Sequence, residues 1–563
     1  MKPKLKYCQD DSARVKYLSI VASALFLFFV YLLIVIQSII LYSRYSEVGL
    51  NSDVLSNHGI CLDFVQGNYP ISGLNLSKAC SFFPEYLIYI PLLLILKEGG
   101  LSISAFLCAF YVSLAGLYGL LFRILISRLI SSLFWGALSV NLLLFLQLFT
   151  THQKYLWAWG MPGHHGGMVL NGLAITAFVL AAIRGGSWKS YRKPTTLLVF
   201  LSTFSDLLII VQFIIPLGVC LYLFRHKLTG GKMLYRDYNI TAFAGISIAI
   251  IANLLLQLTQ VFFFNYYIFK EVPNPIGILS QLETLMADFW NHAWSQTGGF
   301  IILFAIAVLL AILLRSTQRT LTECNRRLFQ FYLTFVGLSI VFTLPSPILT
   351  GSWTDWNNVR YYINAFLLPS SVIFLHIGLL FKATNLSTSL KLMYNVAGTV
   401  ALLSITVYLG SKIDFVRLKF PYPDEIRELD VIAEKRDLKW GLAEYWNSNR
   451  IRYFSRRDLK VNHIRNDRLP YFWLNNSFWF YKTTPQEGLE WPEYSFIVAD
   501  GLDPVILENR FGSPQETIKT NGFTLFIYDK SGSKRIREIL EPAVRQRLKG
   551  RRLKDLKVFE RFP

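Results

Sequence analysis

The sequence predicts a multi-pass α-helical membrane protein with about eleven transmembrane helices and a small C-terminal α/β or α+β domain. Two observations support this fold class. The chain has 563 residues, of which 53% are hydrophobic, and a mean hydropathy of +0.39, so it is too apolar for an ordinary soluble protein of this length. At about residue 412, long apolar stretches give way to alternating apolar and charged residues, which are typical of a water-soluble domain.

A helix needs roughly 20 apolar residues to cross hydrocarbon, and the apolar stretches of this chain differ in how they meet that length. The first, 17–42, has no small-residue cleavage site after it and is expected to be an anchor rather than a removable signal peptide. The stretch 194–224 is too long for one ordinary span. It predicts two short helices with Ser205 and Asp206 at their turn, and one tilted helix with a buried Asp206 is the alternative. The predicted spans are 17–42, 101–122, 131–149, 168–183, 195–209, 210–224, 239–266, 298–314, 328–344, 361–381 and 393–411.

The apolar segment 83–96 is short for a crossing, and we expect it to form a re-entrant or interfacial helix. If it crossed, every later loop would change side, and the basic residues would no longer follow the positive-inside rule. With the N-terminus inside, the cytoplasmic segments hold most of the lysines and arginines of this part of the chain. The opposite loops hold only Arg44, Lys78, Lys97, Lys154, Lys270 and Arg360.

Eleven predicted crossings put the C-terminal domain outside the membrane. Its basic tail, taken alone, would prefer the cytoplasm, but long domains cross largely regardless of charge. Membrane topology therefore explains the net charge of +20, and no nucleic-acid partner is expected. Within the outer domain, 494–498 and 523–528 predict strands, whereas 426–435 and 441–449 predict helices. The predicted units are a transmembrane domain at 1–412 with an outer loop at 43–100, an extracytoplasmic domain at 413–533 and a basic tail at 534–563.

The first outer loop contains two carboxylates that are candidate catalytic residues, Asp53 and Asp63. A carboxylate just above the bilayer acts as a general base toward an acceptor hydroxyl when it is ionised and within hydrogen-bond reach. Asp53 is the first candidate and Asp63 the reserve, and a helix cap or a turn is the alternative role for each. Cys61 and Cys80 lie in the same loop, where an oxidising compartment allows a disulfide; two free thiols are the alternative.

The second outer loop contains the paired residues His164 and His165 beside small residues and tryptophans. Paired histidines of this kind ligate a divalent metal or donate hydrogen bonds to a phosphate, although two adjacent histidines do not easily face one ion. The tryptophans suit both an aromatic belt at the membrane surface and stacking on a sugar.

The start of the tenth predicted span carries Arg360 and Tyr361 after a tryptophan-rich segment, 353–359. A guanidinium at the interface grips phosphate oxygens bidentately, while the aromatic residues hold the membrane surface. These residues are therefore candidate phosphate contacts, and an arginine that extends to water from an interfacial position is the alternative. The sequence contains no Walker loop, dinucleotide glycine fingerprint or Cys-x-x-Cys pair, so soluble nucleotide-driven chemistry is unsupported.

The order of these features resembles the GT-C superfamily, the integral-membrane glycosyltransferases that use polyprenyl-phosphate-linked sugars. The features are a first span, an outer loop with the early Asp53, an apolar re-entrant segment, a polar second loop, a helical hairpin and a late Arg-aromatic motif. The resemblance covers roughly 1–412 and concerns the layout more than exact motifs. Two departures are that Ser205-Asp206 stands where some relatives have a Lys, and that the Asp-Glu pair of the protein mannosyltransferases is absent.

The resemblance implies an inverting hexosyl- or pentosyltransferase on the outer face of a bacterial plasma membrane. Its partners would be a lipid-linked sugar donor, membrane lipid and an envelope acceptor, and its cofactor a divalent metal ion, Mg or Mn, at His164 and His165. Asp53 would be the base, while Arg360, Tyr361 and Asp206 would bind the donor. Two alternatives are a glycan polymerase or ligase, which would depend on arginines and a His, and a transporter or lipid-glycan flippase, which should show internal repeats.

Overall fold

The structure of the protein, a computed structural model, is mostly helical with a few strands, most of them in the C-terminal region. The described helices that precede that region pack into one bundle. The described residues are 4–67, 69–77, 81–126, 129–149, 160–161, 163, 165–258, 263–264, 280–281, 283–284, 287, 322–349, 361–383, 397, 400, 403–411, 413, 415–466 and 469–549. The helices of the bundle are α1 (Lys4–Gly49), α2 (Ser52–Gln66), α3 (Leu87–Leu96), α4 (Gly99–Ile126), α5 (Leu129–Phe149), α6 (Gly166–Ile183), α7 (Trp188–Ser205), α8 (Ile215–Phe224), α9 (Gly231–Leu258), α10 (Glu323–Thr343), α11 (Ser346–Leu349) and α12 (Ile363–Ala383).

Several helices have the length and composition expected of membrane spans. The described part of the chain contains four that are long and apolar enough to cross: Ile20–Glu47, Gly99–Leu125, Gly166–Ile183 and Gly231–Leu256. Shorter apolar helices occupy Phe82–Leu96, Leu129–Phe145, Ile210–Phe224 and Ile363–Leu379. These helices are compatible with a membrane protein, but the expected number of about eleven crossings is not confirmed. The predicted span 298–314 and most of 393–411 lie outside the described residues.

The outer surface of the bundle is apolar where it would meet lipid. On α9, Phe243 is 74% exposed and Ile251 is 55% exposed. A helix face of this kind is unfavourable in water and is expected against hydrocarbon.

The predicted helical hairpin is observed as α7 and α8, with Asp206 between them at the end of α7. The Trp188 ring at the start of α7 lies 6.2 Å from the Tyr238 ring of α9. The Tyr222 ring near the end of α8 lies 5.6 Å from the Tyr235 ring, also near the start of α9. Because the start of α7 and the end of α8 lie beside the same end of α9, the two helices run in opposite directions. A single tilted helix is therefore not observed.

The predicted interfacial segment is a π-helical turn, Phe82–Tyr86, followed by α3. The helix α3 lies beside α2, where Nδ1 of His58 and the hydroxyl of Tyr89 are 2.7 Å apart. Its apolar side chains face outward, since Leu87 is 65% and Ile95 is 74% exposed. A helix of 10 residues with such a face is too short to cross the hydrocarbon and is suited to the membrane interface.

The strands are β1 (Leu74–Leu76), β2 (Phe263–Phe264), β3 (Trp440–Glu444), β4 (Lys460–Ile464), β5 (Asn475–Asn476), β6 (Phe496–Val498), β7 (Glu516–Lys519) and β8 (Thr524–Ile527). The helices of the C-terminal region are α13 (Asp424–Arg436), α14 (Tyr445–Phe454), α15 (Pro504–Phe511) and α16 (Lys530–Lys549). Five of the strands form a mixed sheet in the order β4-β3-β6-β8-β7; β4, β3 and β6 are parallel, while β8 is antiparallel to its neighbours β6 and β7. A parallel pair needs a crossover, and α14 provides it between β3 and β4. The other three strands form a small sheet in the order β2-β1-β5.

The predicted helix at 441–449 is wrong in its first half, because 441–444 belong to the central strand β3. A Cβ on Gly441 would overlap the ring of Phe496 on the neighbouring strand β6. This glycine therefore allows close packing between two strands, which the local sequence alone does not show. The remaining predicted elements of this domain, the helix at 426–435 and the two strands, are observed within a few residues of their expected ends.

The predicted boundary between the domain and its basic tail, at 533–534, falls inside the helix α16. This helix packs on the sheet through Ile536, Leu540 and Val544, which are fully buried. The basic residues lie on the remaining faces of an amphipathic helix. The domain therefore continues to at least residue 549.

The domain docks on the first outer loop through α2. The hydroxyl of Ser52 donates to the backbone carbonyl of Tyr445, at 2.7 Å, and the amide of Asn449 donates to the hydroxyl of Ser56, at 2.8 Å. A Cβ on Gly59 would come 2.8 Å from the Trp479 ring. The helix α2 is thus held between the bundle and the domain, on the side of the bundle where α4 and α6 begin.

Candidate functional site

Asp53 lies in the first turn of α2, where the fold fixes its position. The side chain of Asn51 caps the helix by accepting hydrogen bonds from the backbone N–H groups of Asp53 and Val54, at 3.1 and 3.2 Å. The phenol of Tyr445, from the C-terminal domain, donates to Oδ1 of Asp53 at 2.7 Å. The half-buried carboxylate is therefore oriented by a residue nearly 400 positions away in the chain.

Asn57, one turn further along α2, connects Asp53 to the second outer loop. Its amide donates to the backbone carbonyl of Asp53 at 2.7 Å, and its Oδ1 accepts a hydrogen bond from the phenol of Tyr86. A Cβ on Gly163 would overlap the amide of Asn57, and Gly163 has a φ of +91°. Gly163 of the second loop thus lies against the first turns of α2.

Glu85 is the residue of this region that the sequence did not identify. Its buried carboxylate accepts hydrogen bonds from the backbone N–H groups of Gly163 and Gly167, both at 3.1 Å. A Cβ on Gly167 would come 2.6 Å from Pro84 and 3.0 Å from Cγ of Glu85. The signal that was missed is a single carboxylate inside an otherwise apolar segment, which is costly unless it is partnered.

His165 and Asp206 form a close pair at the mouth of the bundle. Nδ1 of His165 lies 2.5 Å from Oδ2 of Asp206, and both side chains are only about a tenth exposed. Asp206 terminates α7, and its Oδ1 accepts a hydrogen bond from the backbone N–H of Leu208 at 3.0 Å. His165 has a φ of +64°, a conformation that is uncommon for residues other than glycine. When Nδ1 carries the proton, its N–H donates a hydrogen bond to the carboxylate of Asp206, and Nε2 is left as a base.

Tyr361 completes the cluster from the other end of the chain. Its ring lies 5.1 Å from the imidazole of His165, and its backbone carbonyl accepts from the amide of Gln212 at 2.8 Å. The same Gln212 amide lies 3.5 Å from the hydroxyl of Ser346. Arg360, the predicted phosphate contact, precedes Tyr361 directly and lies outside the described residues.

Asp63, the reserve catalytic candidate, lies near the other end of α2. Its carboxylate accepts hydrogen bonds from the amide of Asn476 at 2.9 Å and from the indole N–H of Trp479 at 3.0 Å. Burial raises the pKa of Asp63 to about 7, although these two donors and the charge of Arg452 oppose the increase. The partners of Asp63 belong to the C-terminal domain, so the carboxylate contributes to the contact between that domain and α2.

The expected metal site at His164 and His165 stays a prediction, because His164 lies outside the described residues. Among the described residues, no three His, Cys, Asp or Glu side chains come together as metal ligands. Cys61 is buried and free, and its predicted disulfide partner Cys80 also lies outside the described residues.

Glu85, His165, Asp206 and Tyr361 lie at the end of the bundle where α6 begins. Asp53 lies beside the same segment, because a Cβ on Gly163 would come 3.4 Å from the backbone carbonyl of Asp53. The five residues come from five separate segments of the chain. The cluster offers two candidate bases, Asp53 and His165, and an aromatic ring beside the second. No protein-family model matches this chain, and neither does any curated protein. The geometry of the site is therefore the basis for a functional proposal.

Proposed function

We propose that this protein is a membrane glycosyltransferase that moves a sugar from a polyprenyl-phosphate donor to an envelope acceptor. The observation that supports the proposal is the convergence of Asp53, His165, Asp206 and Tyr361 at one end of an apolar bundle. Ionisable groups that are buried within an apolar membrane bundle are costly and are usually functional. The neighbouring helix α3 has an exposed apolar face, which suits the prenyl chain of a lipid donor.

In the proposed reaction, the carboxylate of Asp53 takes the proton of an acceptor hydroxyl. The acceptor oxygen forms a bond to the anomeric carbon of the sugar, on the face opposite the leaving group. The bond from that carbon to the phosphate oxygen breaks, and polyprenyl phosphate leaves with the electron pair, so the configuration is inverted. Tyr361 and its neighbour Arg360 would hold the donor phosphate, and Tyr445 would orient Asp53.

We place the site and the C-terminal domain on the outer face of a bacterial plasma membrane. The distribution of lysine and arginine supports this orientation. Most of these residues fall in loops on the opposite side of the membrane, and such basic loops favour the cytoplasmic side. A reporter enzyme that is active only outside the cytoplasm, fused after residue 549, tests the orientation. Activity of a reporter that works only in the cytoplasm, fused at the same residue, would refute it.

The pair of His165 and Asp206 favours a second candidate, a glycan polymerase or ligase that uses a His as its base. In that mechanism Nε2 of His165 takes the proton of the acceptor, and Asp206 orients the imidazole and stabilises its charged form. Both candidates transfer a glycan from a lipid carrier, so they differ in the identity of the base rather than in the type of donor.

The deciding experiment compares Asp53→Asn with His165→Ala. The full-length protein is reconstituted in nanodiscs with a panel of polyprenyl-phosphate and polyprenyl-diphosphate sugars, and transfer to envelope glycans is followed by mass spectrometry. The glycans of a deletion strain identify the acceptor class. Asp458→Asn, an exposed carboxylate of the C-terminal domain, is the matched control.

The glycosyltransferase proposal predicts that Asp53→Asn reduces transfer at least a hundredfold while the control retains it. If His165→Ala loses transfer while Asp53→Asn keeps full activity, the result would support the ligase mechanism instead. Movement of the lipid-linked sugar between leaflets without any transfer would contradict both and indicate a flippase.

A further inference from the structure

A groove lies at the end of the bundle opposite the C-terminal domain. It has a volume of about 430 Å³ and lies between the ends of α4 and α6 and the start of α7. The helix α4 begins beside α2 and the domain and has 28 residues, so its far end is about 40 Å away. The floor of the groove is apolar and includes Ile124, Ala177 and Ala181. The groove is therefore separate from the site described above.

A tight glycine turn builds one wall of the groove. The helix α6 ends at Ile183; Gly185, two residues later, has a φ of +124°, and the backbone N–H of Gly186 donates to the carbonyl of Ala181 at 3.1 Å. This turn folds α7 back along α6, so that the ring of Tyr191 stacks on Phe178 with 5.7 Å between the ring centroids. The small side chain of Ala181 leaves the space below these rings open.

The rim of the groove is basic. It carries Arg123 and Arg184, both exposed, and a guanidinium nitrogen of Arg184 donates to the backbone carbonyl of Arg123 at 2.9 Å. The chain has no Asp or Glu between Glu98 and Asp206. The three helices that form the groove therefore bring arginines to its rim.

We propose that this groove binds an anionic phospholipid of the leaflet at that end of the bundle, with the phosphate at Arg123 and Arg184 and the upper acyl chain against Ala181. Guanidinium groups bind phosphate oxygens bidentately, and basic pockets between transmembrane helices select anionic headgroups. A zwitterionic lipid is disfavoured because its cationic headgroup would face two arginines. This inference does not depend on the proposed glycosyl transfer.

The test is native mass spectrometry of the full-length protein, released from detergent with phosphatidylglycerol or phosphatidylcholine. Inorganic phosphate is tested alone, to separate a lipid site from a phosphate site. Arg123→Gln removes charge, Arg123→Gln with Arg184→Gln removes the charged rim, and Ala181→Leu fills the groove without a change of charge. Arg236→Gln, a 70% exposed arginine of α9, is the matched control.

We expect phosphatidylglycerol to bind in preference to phosphatidylcholine. Arg123→Gln should weaken that binding about fivefold and the double variant about thirtyfold, while Arg236→Gln leaves it unchanged. Ala181→Leu should weaken lipid binding although both arginines remain. Equal binding of the two lipids would overturn the proposal. So would a loss of lipid binding in Arg236→Gln as large as in Arg123→Gln, or lipid binding that is unchanged in both Arg123→Gln and Ala181→Leu. Binding of inorganic phosphate as tight as that of the lipid would overturn the lipid assignment.

Discussion

The buried carboxylate of Asp63 makes the docking of the C-terminal domain depend on pH. In the docked state burial raises the pKa of Asp63 from 3.8 to about 7, whereas in the unfolded chain it is exposed and has its ordinary pKa. Below pH 3.8 Asp63 is protonated in both states and no penalty arises. Between pH 4 and 7 Asp63 is ionised in the unfolded chain but still largely protonated in the docked state. The folded state therefore binds more protons, and its stability falls as the pH rises.

The size of the effect follows from the two pKa values. A shift from 3.8 to about 7 corresponds to about 4 kcal/mol at 1.36 kcal/mol for each pKa unit. The loss is complete above pH 7, where both states are ionised. Asp63→Asn removes the titrating group but keeps a carbonyl oxygen that accepts from Trp479 or Asn476. The variant is therefore expected to be more stable than the natural protein at pH 7.5 and to lose most of this pH dependence.

The measurement is limited proteolysis of the full-length protein in nanodiscs from pH 4.5 to 8, which reports the release of the domain from α2. Urea denaturation over the same range gives the free energy of unfolding. Asp458→Asn, at an exposed position, is the control and should follow the natural protein. If Asp63→Asn and the natural protein show the same slope of stability with pH, then Asp63 is not the group responsible.

Three substitutions test other parts of the structure. Glu85→Ala should lower the free energy of unfolding by about 2 to 4 kcal/mol, because it leaves the buried N–H groups of Gly163 and Gly167 without an acceptor. An unchanged thermal midpoint would show that the second loop does not depend on the Glu85 carboxylate. Gly441→Val should cost about 1 to 3 kcal/mol in urea denaturation through overlap with the Phe496 ring, and a stability equal to that of the natural protein would contradict the close strand packing. Tyr445→Phe should cost about 1 kcal/mol by removing the donor to Asp53, and a wild-type denaturation midpoint would argue against that hydrogen bond.

The sequence located the helices of the bundle well because apolar length is a local property. The turn at Asp206 could be predicted, since a stretch of 31 residues, 194–224, is too long for one span. The interfacial position of 83–96, which was inferred from the distribution of charge, stays a prediction. Glu85 was missed within that same segment because its partners, two backbone N–H groups, come from a loop some 80 residues further along the chain.

The candidate site was predicted residue by residue but not as a set of contacts. Asp53, His165, Asp206 and Tyr361 were each identified from their residue type and their position at the end of a span. The pairing of His165 with Asp206 was not predicted, because these residues were assigned separately to metal and donor binding. The roles proposed for Asp53 and for Arg360 stay predictions that the experiments above test.

Composition and periodicity by themselves determined that this chain has apolar helices and a later water-soluble domain, since these properties depend on stretches of some 20 neighbouring residues. Only the tertiary structure decided that 441–444 form a central strand, that α16 belongs to the domain and that Asp63 lies in an interface. The physical reason is the same in each case. Burial and hydrogen bonding join residues that are far apart in the chain, and a local pattern contains no information about such partners.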